Sequence, residues 1–242
     1  MRGMGSEVIR ILITCAIAIT AGIFAGNGAV YFFNRMPGRW LCDYGQEPDE
    51  ELLHPTMQRV RSTPWKYVFT GFFIVVGIVL GMSDPLFAVP AVCAIWLLLE
   101  MAIADVKYMI VPDQLIMMLV VAGIGFIPHH RFGVMDCFRG ALIGCGVMLV
   151  IALLSRLAYR KPAVGGADVK LFAALGLCCG TDGVLVIFVL TTFISAGHFI
   201  WLMARRGAKL SDERAMVPYI ALSATLYLVI FHEMSYNIMI HF

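Results

Sequence analysis

Long apolar runs alternate with short polar breaks along almost the whole chain. The longer runs cover about residues 8–33, 67–82, 87–104, 114–128, 138–158, 183–203 and 216–232. A shorter run, VKLFAALGLCC, follows Asp168 and is the sixth in chain order. A helix needs roughly 20 apolar residues to cross a bilayer, which most of the runs approach and the sixth does not. The pattern predicts an all-α polytopic membrane protein with about eight transmembrane helices and a single membrane-embedded domain over residues 1–242.

The composition agrees with this pattern. Of the 242 residues, 60% are hydrophobic and 14% are charged, whereas a soluble domain carries about 25% charged residues. The net charge of +2 gives no indication of nucleic-acid binding. The seven cysteines include no CxxC pair, so the sequence does not support a zinc or redox site. We therefore expect neither a metal nor a cofactor.

The basic residues predict the orientation in the membrane. We place the longest polar connection, residues 34–66, in the cytoplasm and let the spans alternate. Of the 18 Lys and Arg residues, those that then fall outside are Arg2, Arg10, Arg131 and Arg139. Positive charge concentrates on cytoplasmic loops, so this asymmetry favours the chosen orientation.

Four acidic side chains lie in or beside the apolar runs, where charges cost several kcal/mol and are functional candidates. Asp113 follows Pro112 at a helix start, which gives it a structural role in the first turn. Asp105 ends a run, where the helix dipole disfavours negative charge. Asp168 opens a helix and is either a cap or a functional acid. Glu100 either faces a polar cavity or pairs with a base, and the sequence does not decide between them.

The predicted orientation brings Asp105 and Asp168 to the same cytoplasmic depth from distant segments. Two carboxylates that meet in a poorly solvated site cannot both ionise easily, so the pair would share one proton. This is the condition for aspartic-protease chemistry, in which one carboxylate activates water and the protonated one donates to the scissile carbonyl. Gly165 and Gly166 suit a loop that an extended substrate backbone approaches closely.

Two motifs carry a resemblance to a known family. The stretches GGADVKLFAALG, which contains Asp168, and DVKYMIVPDQL, which starts at Asp105, resemble the type IV prepilin peptidases. These are GxGD-type intramembrane aspartic proteases of peptidase family A24. Two further stretches, FAGNGAVYFFNRMPGRW and MVPYIALSATL, are similar to the ending of the family's first span and to its last motif.

The resemblance implies an enzyme of the bacterial inner membrane with its active site at the cytoplasmic side. Its catalytic pair would be Asp105 and Asp168. The active-site loop would contain Gly165, Gly166, Ala167 and Lys170, with Pro112 and Asp113 as supporting residues. The substrates would be prepilins or pseudopilins of a type IV pilus or a type II secretion system, which lose a short basic leader at the membrane boundary.

The chain also departs from the family. Ala167 stands where the motif has glycine. The loop 34–66 contains one cysteine, Cys42, where bifunctional members have two CxxC pairs and use S-adenosylmethionine to methylate the new pilin terminus. The loop is thus a reduced counterpart of the methyltransferase region, and we expect that activity to be absent. Tyr219 and Ile220 alter the last motif, for which we expect a packing role only.

Several interpretations stay open at this stage. Lys170 either acts on a catalytic carboxyl or extends to the membrane interface. The acidic cluster in residues 43–51 either steers a basic leader or is a solvated loop. The whole protein is alternatively a catalytically inert relative that binds pilin-like helices as an assembly subunit. A second alternative is a small proton-coupled transporter that uses Asp105 and Asp168.

Overall fold

Every regular element in the described part of the computed structural model is helical. The structure describes residues 2–42, 48, 52, 58–159, 165–206 and 214–232. The α-helices are α1 Arg2–Arg35, α2 Ser62–Ser83, α3 Pro85–Tyr108, α4 Asp113–Gly123, α5 Val134–Tyr159, α6 Gly166–Arg206 and α7 Val217–Leu226. Short 3₁₀ helices occupy Gly38–Trp40 and Ile124–His129, and a π-helical turn, Tyr227–Phe231, continues α7.

Within the described residues, five helices are long and apolar enough to cross a membrane, namely α1, α2, α3, α5 and α6. Shorter apolar helices cover Asp113–His129 and Val217–Phe231. The all-α polytopic membrane class predicted from the sequence is confirmed. The predicted break between the second and third spans is also confirmed, because Ser83 ends α2 and Pro85 begins α3.

Helix α6 is two helical arms joined by a reversal at Gly180. Gly180 has φ 69° and ψ −172°, a conformation that is essentially restricted to glycine. The rings of Phe172 and Phe188 lie 6.1 Å apart, whereas the same sixteen residues in a continuous helix would span about 24 Å. The first arm (166–179) and the second arm (181–206) therefore run back along each other. With α6 counted as two arms, the described chain has the eight helical segments that the apolar runs predict.

A histidine closes this reversal. The Nε2 atom of His130 lies 3.0 Å from the carbonyl oxygen of Cys178, in the last turn of the first arm. Because that oxygen can only accept, Nε2 carries the proton. Burial lowers the pKa of His130, and the Cys178 carbonyl and the Asp136 carboxylate, 3.6 Å from Nδ1, oppose that shift.

The chain divides into two compact units, residues 1–96 and 97–242, with the boundary inside α3. In the first unit, α1 and α2 approach through glycines. A Cβ at Gly26 would collide with the backbone nitrogen of Thr70, and one at Gly22 would lie 2.8 Å from the backbone nitrogen of Ile74. Small residues of this kind let membrane helices pack backbone to backbone. The single domain predicted over 1–242 stays a prediction.

The second unit contains the same kind of contact between α5 and α6. A Cβ at Gly140 would collide with the carbonyl oxygen of Gly176. One at Gly144 would collide with the carbonyl oxygen of Phe172 and lie 3.0 Å from Cγ2 of Val184. Gly144 thus touches both arms of α6, and this packing positions the start of the first arm, where Asp168 lies.

The connection between α1 and α2 is described only in part. Asn34 donates to the carbonyl oxygen of Val60 at 2.9 Å and accepts from its N–H at 2.8 Å. The Arg59 guanidinium donates to the carbonyl oxygens of Phe33 and Met36. These contacts tie the connection to the end of α1. The predicted acidic cluster of residues 43–51 lies outside the described residues.

Candidate active site

Asp105 lies in the last turn of α3 and contacts the start of α7. Its Oδ2 accepts the backbone N–H of Val217 at 2.8 Å, and the backbone N–H of Met216 also bonds to this carboxyl. The side chain is buried, with 7% of its residue surface exposed. The positive end of the α7 dipole therefore compensates the unfavourable position of Asp105 at the C-terminus of its own helix.

The sequence explains why α7 begins against a carboxylate. The first N–H groups of a helix have no partner within the helix and need an acceptor. Met216, the N-cap residue, makes no capping hydrogen bond with its side chain, and Pro218 in the first turn has no N–H. Asp105 supplies the missing acceptor from 112 residues earlier in the chain.

Asp168 lies in the first turn of α6. Its carboxyl group accepts the backbone N–H of Gly165, and its own N–H donates to the Gly165 carbonyl oxygen at 3.2 Å. An acidic side chain that reaches back to the residue before the helix is one half of a capping box. Asp168 therefore has the capping role that the sequence suggested, and it is half-buried.

The structure brings the two aspartates together. The carboxyl groups of Asp105 and Asp168 interact electrostatically with each other, although 63 residues separate them along the chain. Each accepts backbone N–H groups at the start of a helix, Asp105 at α7 and Asp168 at α6. The result is a pair of acids held by main-chain donors, an arrangement that can share a proton and act on a water molecule.

Lys170 and Asp113 form an ion pair beside this centre. The Lys170 Nζ atom lies 2.9 Å from Asp113 Oδ1 and 2.8 Å from Oδ2. The pair joins the first turn of α4 to the first turn of α6. Pro112 is the N-cap residue of α4, and it precedes Asp113 as the sequence predicted. The partner of Lys170 is thus Asp113, and neither of the two roles left open for Lys170 is decided by this contact.

The residues predicted to form the active-site loop are mostly the start of a helix, because α6 already includes Gly166, Ala167 and Lys170. Gly165 precedes α6, and Gly166 and Ala167 are already helical. Among the described residues, positive φ occurs at Gly133, Gly180 and Met109, and not in this motif. Ala167 therefore fits without backbone strain where the family has glycine.

Glu100 is fully buried in α3, and neither carboxyl oxygen has a hydrogen-bond partner among the described residues. Five residues separate it from Asp105, which turns the two side chains about 140° apart around the helix. No described base hydrogen-bonds to it, and its role is not explained by the contacts around it.

The main contact that sequence reasoning missed is the one between Asp105 and the start of α7. The stretch MVPYIALSATL was expected to have a packing role only, whereas the N–H of Val217 binds a candidate catalytic carboxyl. Pro218 was the available signal, because proline near a helix start marks the turn whose N–H groups need an acceptor.

The comparisons with known proteins bear on this part of the chain. Residues 91–200 match the family model of the type IV leader peptidase family, Peptidase_A24. Over this stretch the chain is similar to that family. The matched residues contain both Asp105 and Asp168, and the resemblance seen in the motifs is confirmed.

Curated relatives agree with the family match. A prepilin leader peptidase/N-methyltransferase of Xanthomonas campestris pv. campestris is 29% identical over 128 residues, which cover 52% of this chain and 44% of the relative. The protein of the same name from Bacillus subtilis is 29% identical over 126 residues, covering 51% and 48%. That of Aeromonas hydrophila is 28% identical over 135 residues, covering 55% and 47%. The chain spans about half the length of the curated relatives it matches. No solved structure matches the chain.

Proposed function

We propose that this protein is an intramembrane aspartic endopeptidase that removes the short basic leader of type IV prepilins or pseudopilins. Asp105 and Asp168 are its catalytic pair. The observation that carries the proposal is the electrostatic interaction between two carboxyl groups that main-chain N–H groups hold at two different helix starts. The match of residues 91–200 to the type IV leader peptidase family supports the same substrate class.

The hydrogen bonds suggest different roles for the two acids. Asp105 accepts from two backbone N–H groups at the start of α7, and each such hydrogen bond stabilises a negative charge on the carboxyl group. Asp168 accepts from one, at Gly165. In our proposal Asp105 is the general base, and Asp168 holds the shared proton and is the general acid.

The proposed reaction follows from these roles. Asp105 takes a proton from water, and the water oxygen bonds to the scissile carbonyl carbon. Asp168 gives its proton to the carbonyl oxygen, which leaves a neutral tetrahedral intermediate. The C–N bond then breaks as the proton held by Asp105 passes to the leaving nitrogen and one hydroxyl proton of the intermediate returns to Asp168. The products are a carboxyl group on the leader and a free amine on the pilin.

We further propose that the site faces the cytoplasm from the bacterial inner membrane, where a basic leader would lie. The distribution of Lys and Arg supports this orientation. The N-methyltransferase activity in the names of the relatives is proposed to be absent, because the loop 34–66 contains a single cysteine, Cys42. We also propose that one membrane-embedded peptidase domain comprises residues 1–242, in contact with lipid and with the pilin helix.

The test is cleavage of a prepilin co-expressed with the wild-type enzyme, Asp105→Asn or Asp168→Asn, read by N-terminal sequencing and mass spectrometry. Each variant is expected to lose at least about a thousandfold in cleavage rate, since removing one member of a catalytic set costs this much. The product mass reports methylation of the new terminus directly.

Asp84→Asn is the matched control. Asp84 Oδ1 accepts the N–H groups of Leu86 at 2.9 Å and Phe87 at 3.3 Å, so it also sits at a helix start. Asp84→Asn should cleave normally. Cleavage by Asp105→Asn at the control rate would rule out the pair, and wild-type enzyme that binds prepilins without cleaving them would favour the inert relative.

A further inference from the structure

Two buried hydroxyl groups in the second unit behave differently from the other hydroxyls of the helices. Those of Thr192 and Thr225, for example, donate to carbonyl oxygens one turn earlier in their own helices, at 2.9 and 2.7 Å. Thr191 is 1% exposed and Ser223 is 0% exposed. Neither hydroxyl has a hydrogen-bond partner within the described parts of the chain.

Ser223 faces the second arm of α6. It lies four residues after Tyr219 and four before Tyr227, so the three side chains share one face of α7. At one end of this face, the Tyr219 hydroxyl lies 2.5 Å from His198 Nδ1. At the other end, the Tyr227 ring lies 2.7 Å from where a Cβ of Gly183 would be. The middle of the face, Ser223, therefore packs on the same arm.

Thr191 lies on the matching face of the second arm. Gly183 and His198, which contact the two tyrosines, are eight residues before and seven residues after Thr191. All three share one helical face at these spacings, with Ile187 between Gly183 and Thr191. Both unpartnered hydroxyls thus lie in the middle of the interface between α7 and the second arm.

Thr191 also lies at the same height along the two arms of α6 as Asp168. The rings of Phe172 and Phe188 are in contact across the two arms of α6. Asp168 lies one turn before Phe172, and Thr191 lies one turn after Phe188. The two arms are antiparallel, so moving back from Phe172 to Asp168 and moving on from Phe188 to Thr191 go in the same direction in space. Thr191 therefore lies at about the same height as the Asp168 carboxyl group.

A buried hydroxyl without a partner costs free energy, and the surrounding helices offer no bulk water to solvate it. Internal water molecules bind at sites that provide two to four polar partners. We propose that Thr191 and Ser223 bind a water molecule between α7 and the second arm of α6, and that this site supplies hydrolytic water to the catalytic pair. Thr191 and Ser223 are positioning residues, because they hold the water and do not touch the substrate. This inference rests on the proposed peptidase function.

The test uses the full chain in lipid nanodiscs with a purified prepilin. The variants are Thr191→Val, Ser223→Ala and the double variant, with Thr192→Val and Thr225→Val as matched controls. Each single variant is expected to lower kcat about five- to tenfold with KM unchanged, since the loss of one of its hydrogen bonds releases the water. The double variant should be no slower than the slower single variant, because the water is lost only once. Thr191→Ser keeps the hydroxyl and should restore kcat.

Thermal unfolding separates this proposal from the proposed function. A hydroxyl that binds water stabilises the fold, so Thr191→Val should lower Tm, whereas a hydroxyl that binds nothing should raise Tm when it is removed. A raised Tm, or kcat within twofold of wild type, overturns the water site while leaving the peptidase intact. If wild type cleaves no prepilin, the peptidase function fails, and the direction of the Tm change still decides whether water is bound.

Discussion

Residues 1–96 and residues 97–242 each contain a pair of helices that approach backbone to backbone through glycine. Gly26 of α1 lies against Thr70 of α2, and Gly144 of α5 lies against Phe172 of α6. In both units a single methyl group at the glycine would meet main-chain atoms. The two halves of the protein therefore use the same packing principle in an apolar environment.

The polar side chains of the two units do different things. In the first unit, Asn34 and Arg59 satisfy main-chain groups of a connection and have neutral partners. In the second unit, Asp105 and Asp168 bind helix starts and also interact with each other. A polar group that only stabilises the fold needs hydrogen-bond partners, whereas the proposed catalytic acids also need to lie near each other. The family match, residues 91–200, falls almost entirely in the second unit.

The largest expected effect on stability concerns the glycines, and it tests whether the packing is equivalent in the two units. Gly26→Ala and Gly144→Ala should each destabilise the protein by about 1–3 kcal/mol, because a methyl group forced into a filled contact moves the backbone. Gly28→Ala and Gly146→Ala are the controls, since a Cβ at either position has nothing within 4 Å. Reversible unfolding in detergent gives the free energies.

Cleavage rates then separate the units. Gly144→Ala should also lower kcat per folded molecule, because it displaces the arm of α6 that begins with Asp168, whereas Gly26→Ala should not. Equal stability of each variant and its control would contradict the close approach. A loss of kcat from Gly26→Ala would contradict the division of roles.

Much of the fold could be predicted from the sequence because apolar runs of membrane length leave few alternatives. The eight helical segments and the break at Ser83–Pro85 were predicted correctly. The ends were less accurate. Helix α2 begins at Ser62, five residues before the predicted start, and Thr63 in this added stretch departs from helical geometry with φ −110° and ψ 129°. The apolar pattern does not record where polar residues continue a helix beyond its apolar run.

The site could be predicted only in its acidic residues. Asp105 and Asp168 could be identified because charge in an apolar setting is costly and because both lie in motifs that resemble those of a known family. Nothing in the sequence identifies the residues that bind them. The N–H groups that bind Asp105 belong to Met216 and Val217, and every residue except proline has a backbone N–H. Which N–H groups reach a carboxyl is decided by tertiary packing, and a single sequence does not record it.

A comparable effect on stability, without an effect on cleavage, is expected at Asn34, where a polar contact serves structure alone. Asn34→Ala removes both hydrogen bonds to Val60, which is buried, and should cost about 1–3 kcal/mol of stability. The rate of cleavage per folded molecule should stay unchanged. Asn27→Ala is the control, because the Asn27 amide bonds to Ile23 of its own exposed turn. A fall in kcat for Asn34→Ala with normal stability would show that the first unit takes part in the reaction.

The smallest effect on stability is expected at the ion pair between Lys170 and Asp113. This pair tests directly whether charges in the second unit affect kcat while charges in the first do not. The side chains are 55% and 29% exposed, so we expect a coupling energy of about 0.2–1 kcal/mol for the pair, reduced by added salt. The measurement is a double-mutant cycle on unfolding and on cleavage with Lys170→Gln, Asp113→Asn and both. Each single variant should lower kcat severalfold, because Lys170 lies two residues after Asp168.

The Glu7 and Arg10 pair of the first unit provides the control. Its side chains are 65% and 61% exposed and lie 3.5 Å apart, so Glu7→Gln and Arg10→Gln should change neither stability nor kcat measurably. If the second unit differs from the first because its charges hold the reactive acids in place, only the cycle at Lys170 and Asp113 will show coupling in kcat. Additive effects on kcat in that cycle would mean that the ion pair does not contribute to catalysis. The N–H groups at the helix starts would then position the two aspartates by themselves.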